Sequence, residues 1–119
     1  TPNLCSDMHD CSISTGDNWL KKWLPLLTGT AVYKHHNTVV FVVWDEGEPS
    51  SAGENCASHL SDQSCHVVAI VVAPSVKPGT SVGTSFSHYS LLKTSEDLLG
   101  VAELGGATSA TSMASAFNL

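Results

Sequence analysis

The chain contains no arginine. Its five basic residues are all lysines, set against eleven aspartates and glutamates, which gives a formal net charge of −6 over 119 residues. Without guanidinium forks, no side chain can clamp a phosphate bidentately, and without a basic face the chain argues against nucleic-acid binding. Long hydrophobic runs are missing too. TVVFVVW (38–44) and VVAIVVA (67–73) are the longest, far too short to span a bilayer. No basic stretch followed by an apolar one opens the chain, so no signal peptide is read there. Beginning at Thr1-Pro2-Asn3 without a methionine, the chain reads as processed, truncated or internal, which leaves secretion open. No Asn-x-Ser/Thr acceptor for glycosylation occurs. If the ligand is an anion, something other than side-chain cations must neutralise it, and a metal is the obvious candidate.

What is present suits a folded domain. Hydrophobic residues make up 42% of the chain and charged residues 13%, which argues against disorder, and 119 residues suffice for one domain with a core. Four cysteines fall in two local pairs, Cys5/Cys11 and Cys56/Cys65. Neither pair has the two-residue spacing of a zinc ribbon. The spacing favours two local disulfides in an oxidising compartment over metal thiolates, with four free thiols as the remaining option.

Ser14 and Asp17 suggest a capping box, and Trp19, Leu20, Trp23, Leu24 and Leu27 follow at helical spacing. A helix is predicted from about Asp17, its apolar face directed to a core, with Pro25 distorting or ending it. Residues 38–44 and 66–73 read as strands buried on both faces. Between them, 47–65 reads as a long polar surface loop. Pro74 to Phe86 is a Gly/Ser/Thr/Pro loop. A second helix is predicted from Ser87 or His88, carrying Tyr89, Leu91, Leu92, Leu98 and Leu99, with Gly100 as its stop. Residues 101–119 read as a final short element or a frayed end. Two buried strands with helices around them suggest an α/β layered domain. Two strands make a poor sheet alone, so the chain is expected to complete a sheet begun elsewhere.

Acids and imidazoles gather at three places: Asp7, His9 and Asp10 inside TPNLCSDMHDCS, Asp45 and Glu46 directly after the first strand, and His88 at the second helix start. Ligands of open α/β sheets collect at the carboxyl ends of strands, which is where Asp45 and Glu46 sit. Two adjacent carboxylates there repel one another unless a cation or hydrogen-bond donors compensate. Each cluster alone also has an ordinary reading: turn chemistry for the first, a strand cap for the second, a packing histidine for the third.

Together, TPNxxxDxHD, a strand ending in WDEG, and a Gly-Thr loop leading into SHYS and a leucine-rich helix form a specific order. This order resembles the C-terminal half of the phosphoesterase family that contains secreted acid phosphatases and phospholipase C-type enzymes, within the alkaline-phosphatase-like superfamily. The resemblance runs from Thr1 to about Leu104. It implies an α/β fold, a three-layer α/β/α sandwich of which residues 1–119 would be the C-terminal part of a single domain. It implies metal-assisted hydrolysis of phosphate esters, with Asp7, Asp10, Asp45 and Glu46 as metal ligands and with His9, Glu46 and His88 in catalytic roles. Asn3 and His88 would contact the substrate. Ser6 stands where many relatives have Asn. The cofactor would be a divalent metal ion: zinc, manganese or iron suits mixed imidazole and carboxylate ligands, magnesium or calcium a more carboxylate-rich set. A secreted or periplasmic location is implied. The family's Glu-Asn metal segment and its nucleophile lie upstream of TPN, so the expected partners are a phosphate-ester substrate and the upstream N-terminal half of the same enzyme.

Three other patterns carry less. GTSVG (79–83) fits G-x-S-x-G, but Pro74 and Pro78 separate Ser81 from the strand and no histidine lies beyond His88. His35-His36 reads as a solvated pair, and His59 and His66 flank the second cysteine pair as a weak zinc candidate. The competing class of function is a secreted, disulfide-stapled binding module that keeps the fold without activity and presents an exposed apolar patch.

Overall fold

The computed structural model describes residues 1–47, 56–58 and 61–119. They form two compact units, 1–38 and 39–119.

In the first unit a loop closed by a Cys5–Cys11 disulfide leads into helix α1 (Ile13–Thr28) and the single turn α2 (Ala31–Lys34). The helix begins earlier than Ser14 and Asp17 suggest. Ser12 is the N-cap, its carbonyl accepts from Thr15 N–H at 2.9 Å, and its hydroxyl lies 2.8 Å from that of Ser14. Pro25 does not end the helix, which continues to Thr28. Proline deletes only the bond to the Lys21 carbonyl, and both residues are exposed, so water can take that acceptor. Thr30 opens α2 by accepting from Tyr33 N–H at 3.2 Å. The apolar face of α1 is only partly a core: Trp19, Leu20 and Leu24 are half-buried, whereas Trp23, Leu26 and Leu27 are exposed.

In the second unit β1 (Val40–Val43) pairs antiparallel with β2 (Ala69–Val72), in the register Val40 to Val72 and Val43 to Ala69. The β-branched runs do form strands, but burial on both faces is corrected. All of β1 is half-buried, and Ala69 and Ile70 are exposed. A two-stranded ribbon has no second layer to cover it. Among the described residues no α-helix crosses between the strands. The connection holds two 3₁₀ turns, Cys56–Ser58 and Gln63–Cys65, tied by a Cys56–Cys65 disulfide. Both cysteine pairs are therefore disulfides, as their spacing favoured.

Helix α3 (His88–Leu99) begins and ends where expected. Ser90 Oγ accepts from Ser87 N–H at 3.2 Å at its start. Gly100 closes it at φ 65°, a left-handed conformation open to glycine at low cost. The tail is an ordered element: a 3₁₀ turn (Gly105–Ser109) and the short helix α4 (Ala114–Phe117), with Ala107 and Met113 buried. Thr94 fastens it to α3. Its hydroxyl donates to Ser90 O at 2.6 Å and accepts from Met113 N–H at 2.8 Å. Glu96 Oε1 accepts from Leu104 N–H at 3.1 Å, and Lys93 Nζ pairs with Glu103 at 2.6 Å.

The architecture is mixed helix and small sheet, compatible with part of an α/β fold. Among the described residues no helix is long and apolar enough to cross a membrane.

Thr94 is fully buried, so Thr94→Val leaves the Met113 N–H without an acceptor. The expected loss is about 1–3 kcal/mol in urea unfolding, with Thr94→Ser close to wild type.

Candidate functional site

The candidate residues fall in both units. In the first, residues 1–12 fold back on themselves through backbone bonds. Asp7 N–H reaches Asn3 O at 2.9 Å and Asp10 N–H reaches Leu4 O at 2.8 Å. Asn3 Oδ1 accepts from Ser6 N–H at 2.9 Å, and Asp7 Oδ1 accepts from His9 N–H at 2.9 Å. Asn3 and Asp7 thus shape the loop by short Asx-type turns. His9 Nδ1 lies 2.7 Å from Asp10 Oδ1, both side chains being well exposed. A carboxylate only accepts, so Nδ1 is the donor, and this pairing fixes the orientation of the ring.

Met8 has φ 79°, rare for a side chain of its size. The loop tolerates it because the Met8 side chain lies against buried Gly16 of α1. A Cβ built at Gly16 would meet Met8 Sδ at 2.7 Å and Ser6 O at 3.2 Å. The sequence gives no sign of this close approach beyond a glycine near a helix start.

In the second unit Asp45 and Glu46 leave the end of β1 with both side chains exposed. Their backbone is confined. His88 Nε2 lies 2.6 Å from the Asp45 carbonyl oxygen across 43 residues. On the other side, Gly47 abuts the second disulfide: a Cβ there would meet Ser64 O at 2.6 Å and Cys65 Cα at 2.9 Å. Cys56 Sγ lies 3.3 Å from Gly47 O. The structure therefore brings the His88 ring to the backbone of Asp45.

Among the described residues, neither unit gathers three or more His, Cys, Asp or Glu side chains in a metal-holding group. The donors nevertheless suit a divalent ion in kind, because carboxylate oxygens and a carboxylate-oriented imidazole are the usual ligands. Among the described residues the remaining patterns form no site. Ser81 lies in a loop, not at a strand-to-helix elbow. His35, His36 and His66 are exposed. His59 lies outside the described residues.

The sequence profile of the Phosphoesterase family matches residues 1–102. A phosphatidylinositol-3-phosphatase of Mycobacterium tuberculosis is 34% identical over 109 residues, covering 92% of this chain and 31% of that protein. A phosphate-repressible acid phosphatase of Penicillium chrysogenum is 30% identical over 106 residues, with 88% and 23% covered. An acid phosphatase of Aspergillus fumigatus is 28% identical over 106 residues, with 88% and 22% covered. This chain thus spans less than a third of the length of these curated relatives. No solved structure matches it.

Gly16→Ala forces Met8 off the helix and is expected to cost about 1–3 kcal/mol. It should also speed amide exchange at Met8 and Asp10. Adding Met8→Ala should recover part of the stability, which thermal unfolding of the double variant reads directly.

Proposed function

The chain belongs to the Phosphoesterase family, and on that footing we propose that it supplies part of the active site of a metal-assisted phosphoric ester hydrolase. Phosphate-ester hydrolysis is the chemistry named in its phosphatase relatives. The finer reading is an acid phosphatase or phospholipase C-type enzyme built on a three-layer α/β/α sandwich, working outside the reducing cytoplasm, where both disulfides persist. The observation that carries it is the acidic turn Asp45-Glu46. Two exposed carboxylates follow one another along a backbone held at the peptide between them and at Gly47, in a chain with no arginine to meet an anion.

In this reading Asp7 and Asp10 supply metal ligands from the first unit, and Asp45 and Glu46 from the second. A divalent ion among zinc, manganese, iron, magnesium and calcium supplies neutralisation of phosphate charge and polarisation of the scissile bond. The chain's own residues do the rest. Asp10 accepts from His9 Nδ1–H, which leaves Nε2 as the ring atom that would exchange a proton with the substrate. Glu46 is the second candidate for acid–base work. Asn3 holds the loop that carries these groups and contacts the substrate. His88 enters through its bond to Asp45. The nucleophile and the remaining ligands belong to the upstream part of a family-length protein, consistent with the small share of each relative that this chain spans.

A second reading, a stapled binding module, draws on the apolar side chains exposed in both units, among them Trp23 and Leu26 in one and Leu98 and Leu99 in the other. In the hydrolase reading the rest of the domain covers them.

Hydrolysis of p-nitrophenyl phosphate separates the two, measured with the chain alone and together with the upstream part. Chelator is expected to abolish turnover, and His9→Ala to lower kcat by about 10²-fold or more. No turnover in the complete protein with any of the five metals would favour the binding module.

A further inference from the structure

The bond between His88 and Asp45 joins a ring to a backbone atom, and this narrows what the ring can do. A carbonyl oxygen carries no proton, so His88 Nε2 must donate. In the neutral ring Nδ1 then holds the lone pair. The acceptor is the oxygen of the peptide unit that links Asp45 to Glu46. That unit is planar and rigid. A bond to its oxygen restrains ψ of Asp45 and φ of Glu46 together, and with them the directions in which the two Cα–Cβ bonds leave the chain.

We infer that His88 is a positioning residue: by donating from Nε2 to the Asp45 carbonyl, it sets the shared peptide plane that aims the Asp45 and Glu46 carboxylates. The inference rests on reading those two as metal ligands and adds how they are aimed. Three features support it. His88 is the first residue of α3, so its backbone is set by the Ser87–Ser90 bond at the helix start. Gly47, on the far side of Glu46, is pressed against Ser64 and Cys65 with no room for a side chain. The acidic pair is therefore held by a hydrogen bond to the peptide unit between its two members and by a steric stop after it. Both carboxylates are exposed and no hydrogen bond among the described residues orients them, so the restraint on where they start comes from the backbone. Sites carried on loops need such support to hold ligand geometry.

The test uses the chain labelled with ¹⁵N and ¹³C. Two-bond ¹H–¹⁵N correlation reads which nitrogen of His88 is protonated, and the Asp45 carbonyl ¹³C shift reports the bond itself. Mn²⁺ affinity is measured by calorimetry for the wild type, His88→Ala, His88→Asn and His88→Gln. The Gln amide nitrogen reaches about as far as Nε2, whereas that of Asn reaches only as far as Nδ1. The expected result is an Nε2–H ring. His88→Ala and His88→Asn should each move the Asp45 carbonyl shift and weaken Mn²⁺ binding about ten- to hundredfold, and His88→Gln should restore both. An Nδ1–H ring overturns the inference, and so does a pattern in which Asn rescues and Gln does not. If the wild-type chain binds no Mn²⁺, the metal reading fails for the isolated chain. The ring tautomer and the carbonyl shift in His88→Gln then decide the positioning role on their own. If His88→Ala does not fold, the wild type and His88→Gln decide it in the same way.

Discussion

Both acid-bearing segments are held by local closures, the second also by one long-range hydrogen bond, rather than by a deep core. Among the described residues, the buried hydrophobic side chains are only Ala73, Ala107 and Met113, so little hydrophobic burial is available to position a loop. Covalent and polar ties take that task. The Cys5–Cys11 bridge encloses Asp7, His9 and Asp10, and the N–H groups of Asp7 and Asp10 donate to the Asn3 and Leu4 carbonyls just before the ring. The Cys56–Cys65 bridge fixes the turn against which Gly47 lies, one residue beyond Glu46. A disulfide restrains a loop without requiring that its side chains be buried. Exposed carboxylates and a fixed backbone can therefore coexist, and an ion-binding loop needs both.

The same closure bears on the electrostatics. A chain of net charge −6 that lacks arginine repels a phosphate ester at long range. Attraction must come from a locally concentrated positive charge, and ligands whose directions are already set lose less entropy when they gather around one. The hydrolase reading and the stapled loops thus answer the same physical difficulty.

Much of the scaffold was legible in the sequence because it is encoded locally. The β-branched runs, the Ser87 start and Gly100 stop of α3, and the cysteine spacing each depend on a few neighbouring residues, and each has its counterpart in the structure. Strand burial was misread because seven apolar residues in a row look alike whether or not anything covers them, and the cover is not part of this chain's sheet. Pro25 distorts or ends a helix according to the partner it deprives, here an exposed carbonyl, and the helix does not end. At the site, the acids stood out by their position after a strand. What steadies them did not. The His88 bond spans 43 residues and ends on a backbone atom, and the Met8–Gly16 contact depends on a positive φ that no residue type announces.

Helix α3 links places that lie far apart along the chain. Its first residue holds the turn after β1, while Thr94 and Glu96 grip Met113 and Leu104. The last fifteen residues therefore act as a counterweight to the acidic turn. Trimming the chain after Leu104 would remove no acidic or imidazole group, yet it would unmoor the helix that His88 stands on. A protease acting on the tail would in this way slacken a turn sixty residues earlier.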